Sequence, residues 1–167
     1  MIYGDRTMKN EDLNLEKLKS SRIKTKPGDI FVFRPKGHDY YFGRTISVDA
    51  QIRAFKDCVL IYLYNVHSKD KSIIPDLNKT NLLVPPIITN YLPWSRGYFE
   101  TVGNKTLSKD DILQPNCFYS KIFNAYYDEY GNKLDKAYEP VSIYGLAGYK
   151  GIDVEISHAL GLKIAPY

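Results

Sequence analysis

The amino-acid sequence predicts an α+β fold dominated by β-structure: a curved antiparallel sheet or partly open barrel with a C-terminal helix packed on it. Three observations predict it. Fifteen of the 167 residues are Tyr and aromatics make up 14% of the chain, a composition that suits strands and half-buried sheet faces. Short apolar runs rich in β-branched and aromatic residues recur between clusters of Gly, Pro, Asn and Asp, the punctuation of strands and turns. One late segment changes period: Ile152, Ile156, Ala159 and Leu160 recur at helical spacing, and Gly161 stands where a helix cap belongs.

Taken in chain order, residues 1–25 read as a polar N-terminal arm. Leu13, Leu15 and Leu18 allow one short helix there, between Asn10 and Ser20, with Asn10 as its N-cap. Residues 26–167 read as a single domain. Lys26-Pro27-Gly28-Asp29 is a turn that launches a strand at Ile30-Phe31-Val32-Phe33. Residues 35–39 turn the chain into a second strand over 40–48, antiparallel to the first, with Gly43 marking a bulge or a close backbone approach. Residues 58–64 are apolar on both alternating faces, as a central strand must be. Residues 68–72 form a charged loop. The 76–94 stretch divides into two extended pieces around the corner Pro85-Pro86, which excludes a continuous helix. Residues 98–102 read as a strand closed by Gly103-Asn104. Ser108 with Asp111 three residues on has the form of a capping box opening a brief helix that Pro115 ends. Residues 117–123 read as a strand, 126–134 as a hairpin with its tip at Glu129-Tyr130-Gly131-Asn132, and 141–146 as a further short strand before the final helix.

Bulk numbers narrow the function. A chain of this length buries a core without disulfides or metals. The net charge of +4 is mild, and the one basic cluster (Lys17, Lys19, Arg22, Lys24, Lys26) has the form of a solvated surface, not of a phosphate clamp. Cys58 and Cys117 sit in separate apolar segments with no CxxC spacing, which fits free thiols in a reducing cytoplasm. The N-terminus shows no signal-peptide pattern and no apolar run approaches a membrane span, so a cytoplasmic location and no membrane partner are expected.

Catalytic and ligand-holding patterns are not found. His38, His67 and His158 are far apart, with none of the local spacing that zinc sites use. There is no nucleophile elbow, and burial in the most apolar segment makes Cys58 inert, whereas Cys117 between Asn116 and Phe118 is expected to be more exposed. No phosphate-binding glycine loop occurs, and Gly145-Leu146-Ala147-Gly148 reads as a plain turn before the helix. The pair Asp110-Asp111 suits a helix N-terminal turn and Asp128-Glu129 an exposed hairpin. No catalytic residue, metal or cofactor is expected.

Several segments carry a resemblance. They are KPGDIFVF (26–33), YYFGR (40–44), VGN (102–104), the block from Leu107 through Asp111 to Phe118, and SIYGLAGYKGIDVEISHALG (142–161). In order and spacing they resemble the immunity protein 26 family of bacterial polymorphic-toxin systems, those of the contact-dependent inhibition type. The resemblance implies a single immunity-type domain over 26–167. It also implies a non-enzymatic antidote, encoded beside a toxin whose C-terminal domain it binds and neutralises. On that reading the partner-binding residues expected are Tyr126, Tyr127, Asp128, Glu129 and Tyr130: tyrosines give large contact area at low entropic cost, and the carboxylates suit a basic partner. The oligomeric state is left open. An alternative is a small β-barrel that binds nucleic acid or resembles a ribonuclease. The GDIF-type opening strand also resembles PemK-like toxin barrels, and Arg44-Thr45 with the basic arm would then face RNA; the long C-terminal half has no place in so small a barrel. A small-molecule enzyme is the third class, disfavoured by the absence of motifs.

Overall fold

Two sheets and a helix assemble around the strand that is apolar on both faces. The computed structural model describes residues 13–166. The first sheet contains β1 (Asp29–Phe33), β2 (Tyr40–Ile52), β3 (Phe55–Ser68), β4 (Ile87–Thr89) and β5 (Glu100–Asn104). Its order is β4-β3-β2-β1-β5, with every neighbouring pair antiparallel. The second contains β6 (Cys117–Ser120), β7 (Ala125–Tyr127), β8 (Lys133–Leu134) and β9 (Val141–Ile143), in the order β8-β7-β6-β9. A one-turn helix, α1 (Leu92–Ser95), a 3-10 turn (Lys109–Asp111) opened by the Ser108 capping box, and the C-terminal helix, α2 (Tyr149–Ala159), complete the architecture. Neither sheet closes on itself, and the fold is β-dominated with a C-terminal helix, as expected.

Local sequence explains the first hairpin. Gly28 has φ 88°, and a Cβ there would lie 2.7 Å from the Lys105 carbonyl oxygen, so only glycine fits the turn. Asp29 accepts the Lys26 N–H at 3.1 Å and locks it. Gly43 pairs with Phe31 across the sheet, and a Cβ would stand 2.5 Å from that ring. The close approach seats Phe31 flat on Phe99 at 4.4 Å and edge-on to Trp94 at 5.2 Å.

Strand period then sorts the core. On β3, Val59, Ile61 and Leu63 join Phe31, Phe33, Trp94 and the α2 residues Ile152 and Ile156. The alternate residues Cys58, Leu60, Tyr62 and Tyr64 join Phe118 of the second sheet. A helix covers one face of the first sheet and the second sheet covers the other. Burying a side chain such as Phe31 or Phe33 contributes about 2–3 kcal/mol. Gly161, at φ 67°, ends α2: its N–H donates to the His158 carbonyl and the Leu162 N–H to that of Ser157, the paired bonds of a Schellman cap.

Six local readings are corrected. The helix foreseen between Asn10 and Ser20 does not form over its described part: residues 13–20 are extended, and Leu15 bridges Pro35 (Asn10 lies outside the described residues). Leu13 and Leu15 are core residues, and their two-residue spacing is that of extended chain. Trp94 belongs to α1, not to an extended piece. The strand after it starts at Glu100, because Tyr98 and Phe99 donate their N–H groups to the Pro93 carbonyl. β6 ends at Ser120, where a turn through Asn124 (φ 47°) begins a hairpin to β7. The second sheet is mixed, since β9 pairs β6 in parallel. Finally, Cys117 is fully buried, not the more exposed of the two thiols, and burial pushes both thiols up from their ordinary value.

Candidate partner-binding surface

Register across the second sheet places one row of side chains on its outer face. Leu134 is opposite Tyr126, Tyr126 opposite Tyr119, and Tyr119 opposite Ile143. Directly paired residues share a face, and the Tyr119 and Tyr126 rings touch at 5.1 Å between centroids. The row crosses all four strands. Ile143 at its end is 75% exposed, and Ile122 in the β6–β7 turn is 72% exposed. Phe118 and Tyr127 share the opposite, inner face. Phe118 is fully buried in the inter-sheet core, and Tyr127 stacks on Tyr144 at 4.7 Å.

The five residues expected to meet a partner are separated by this geometry. Tyr126 is half-buried on the outer face and Tyr130 is 48% exposed at the hairpin tip. Tyr127 faces inward. Asp128 is a turn-former: its Oδ1 accepts the N–H groups of Tyr130 and Asn132, both at 2.9 Å, and its Oδ2 accepts the Asn132 amide at 3.1 Å. Glu129 ties the hairpin to the first sheet by accepting the Gln51 N–H on its carbonyl at 2.8 Å. Its carboxyl is half-buried, with Oε2 unpartnered. Burial pushes that carboxyl up, and the nearby Asp128 and Asp49 carboxylates push it further. The Asp128 carboxylate is thus committed to its own turn, while Glu129 holds the hairpin through its backbone carbonyl. Ile143 is brought beside Tyr119 by the long-range parallel pairing of β9 with β6, whereas Leu134 and Tyr119 join Tyr126 through local hairpins. Cys117, Phe118, Tyr119 and Ser120 show no clean alternation that would mark an outer face, since three of the four are buried.

The residues that would face RNA in the barrel reading sit elsewhere. Arg44 is 2% exposed; its guanidinium donates to the Lys105 carbonyl and lies 3.4 Å from the Asp111 carboxylate. Thr45 is fully buried and shares a hydrogen bond with Thr25. The cations Lys17, Lys19, Arg22, Lys24 and Lys26 are exposed on an extended ribbon held by Leu18 N–H to the Gly97 carbonyl and Ser21 N–H to that of Trp94. Among the described residues no group of three His, Cys, Asp or Glu converges as a metal site would need. None of their helices is long and apolar enough to cross a membrane.

A helix-backed sheet carries a second, mixed sheet with an open aromatic and aliphatic face, which makes a β-rich scaffold with a surface suited to binding. The family model described as Immunity protein 26 matches residues 26–128, and the chain belongs to that family. The match runs from the Gly28 turn to Asp128 of the β7–β8 hairpin; the resembling C-terminal stretch at 142–161 lies beyond it. No curated protein and no solved structure matches the chain.

Proposed function

We propose that this protein binds a toxin domain encoded beside it and neutralises it stoichiometrically, without catalysis, through the outer face of the second sheet. Membership of the immunity protein 26 family supports the role. The observation that carries the site is the row Leu134–Tyr126–Tyr119–Ile143. Aromatic and aliphatic side chains on a rigid sheet are what an interface core needs. Tyr130, exposed at the hairpin tip, stands beside this face on the side where the tip joins β2. In this reading Asp128 and Glu129 serve it by holding the hairpin. The proposed site of action is the cytoplasm.

Co-expression with the C-terminal domain of the neighbouring toxin gene tests the reading. Growth rescue and a one-to-one complex that survives high salt are the expected results. A second reading, nucleic-acid binding, is favoured by the exposed cation ribbon alone, and it predicts RNA retention that falls steeply with salt. Toxin-free RNA retention with no protein complex would establish that reading instead.

A further inference from the structure

Where the two sheets meet, a cleft of about 350 Å³ opens between the start of β4, the β9 segment and the first turns of α2. The size is that of small-ligand and side-chain pockets. Its walls are aliphatic: Pro86, Ile88, Val141 and Leu146. The polar groups around it are already bonded, Ser142 to the Pro86 carbonyl, Thr89 to the Ala147 carbonyl at 2.6 Å, and the Ala147 N–H to the Ile88 carbonyl at 2.8 Å. Ile143, the exposed end of the outer-face row, also lines the cleft, so cleft and row are continuous.

Two features mark it as built to receive something. Gly145 and Gly151 line it, yet neither has a positive φ, and an added Cβ would meet nothing closer than 4.0 Å at either position. The backbone does not require glycine at either place, and glycine weakens the first turn of a helix such as α2. What glycine does provide is an unobstructed wall. Glu155, one helical turn after Gly151 and on the same face, lines the cleft half-buried, and among the described residues it has no ion-pair partner. An apolar cleft with one unpaired carboxylate is complementary to an apolar side chain that carries or adjoins a cation.

We infer that this cleft is a socket for an apolar side chain flanked by Lys or Arg, presented by the toxin domain. The inference rests on the proposed toxin binding and assigns one end of that interface its chemistry. Phenethylammonium is the small probe for the socket, with phenylacetate as its anionic counterpart. In amide NMR spectra of the full chain, phenethylammonium is expected to shift Gly145, Leu146, Gly151 and Glu155 saturably. Phenylacetate is expected to bind about tenfold more weakly, and Glu155→Gln to erase the difference. No saturable shift at these amides, or equal binding of both probes, would overturn the socket. With the toxin domain, Gly151→Leu should weaken the complex about tenfold or more while the melting temperature holds. If that variant does not fold, Glu155→Lys should weaken the complex by charge reversal. Unchanged toxin affinity in a folded variant would overturn the socket and leave the toxin reading standing. A wild-type protein that binds the probe but no toxin would remove the toxin as occupant along with that reading.

Discussion

The backbone N–H of Leu15 donates to Oδ1 of Asp153 at 2.8 Å, deep in the protein, where both residues are almost wholly buried. The same carboxylate accepts the Asn14 N–H at 3.3 Å. One charged side chain on α2 therefore fastens the extended segment before residue 26 to the helix.

Asp153→Ala should leave a buried N–H without its acceptor and lower the unfolding free energy by about 1–3 kcal/mol. Urea denaturation measures this. Limited proteolysis should show cleavage near residues 13–20 in the variant before any elsewhere, because the segment loses its anchor first.

Asp111 and Arg44 give a prediction with a pH signature. Burial alone would raise the Asp111 carboxyl, but the Ser108 N–H, the Arg44 guanidinium and the Ser108 hydroxyl hold it below its ordinary 3.8. A carboxyl lowered by folding stabilises the protein above its unfolded value and loses that contribution as the pH falls. Asp111→Asn should cost about 1–2 kcal/mol at neutral pH, since it strips a buried guanidinium of its counter-charge at a site that solvent partly reaches. The gap between wild type and variant should hold above pH 3.8 and close below it, as followed by chemical denaturation across pH.

Glu129 predicts the opposite sign. Its carboxyl is raised above the ordinary 4.5 by burial, so its ionisation opposes folding. The wild type should lose stability as the pH rises from 4.5 through the folded value. Glu129→Gln should be the more stable protein at neutral pH by about 0.5 kcal/mol, a figure discounted for its partial exposure. That advantage should vanish below pH 4.5 in thermal melts.

Much of the fold was legible because its signals are local. The Gly28 turn with its positive φ, the double-faced β3, the Ser108–Asp111 capping box and the Gly161 cap each show in residues within a few positions of one another, and Gly43 meets Phe31 across a short hairpin. The rest depends on distant partners. Leu13, Leu15 and Leu18 mix a spacing of two with one of three, and burial against α2 decides for extended chain. Nothing in Val141, Ser142 or Ile143 announces a parallel partner at Cys117, Phe118 and Tyr119. For the same reason the hairpin was found, but not the row across the sheet that contains it. Asp128 and Glu129 looked like exposed charges because a sequence does not show that one carboxylate closes its own turn and the other points inward.

The most direct test of the central claim is titration calorimetry of the neighbouring toxin domain with the wild type and with Tyr126→Ala and Ile143→Asp. The account predicts a one-to-one complex for the wild type. Each variant should lose at least about 2 kcal/mol of binding free energy, as central interface residues do, with its own fold intact. Wild-type affinity in both folded variants would contradict the placement of the site on the second sheet, and the absence of any complex with the wild type would contradict the antidote role itself.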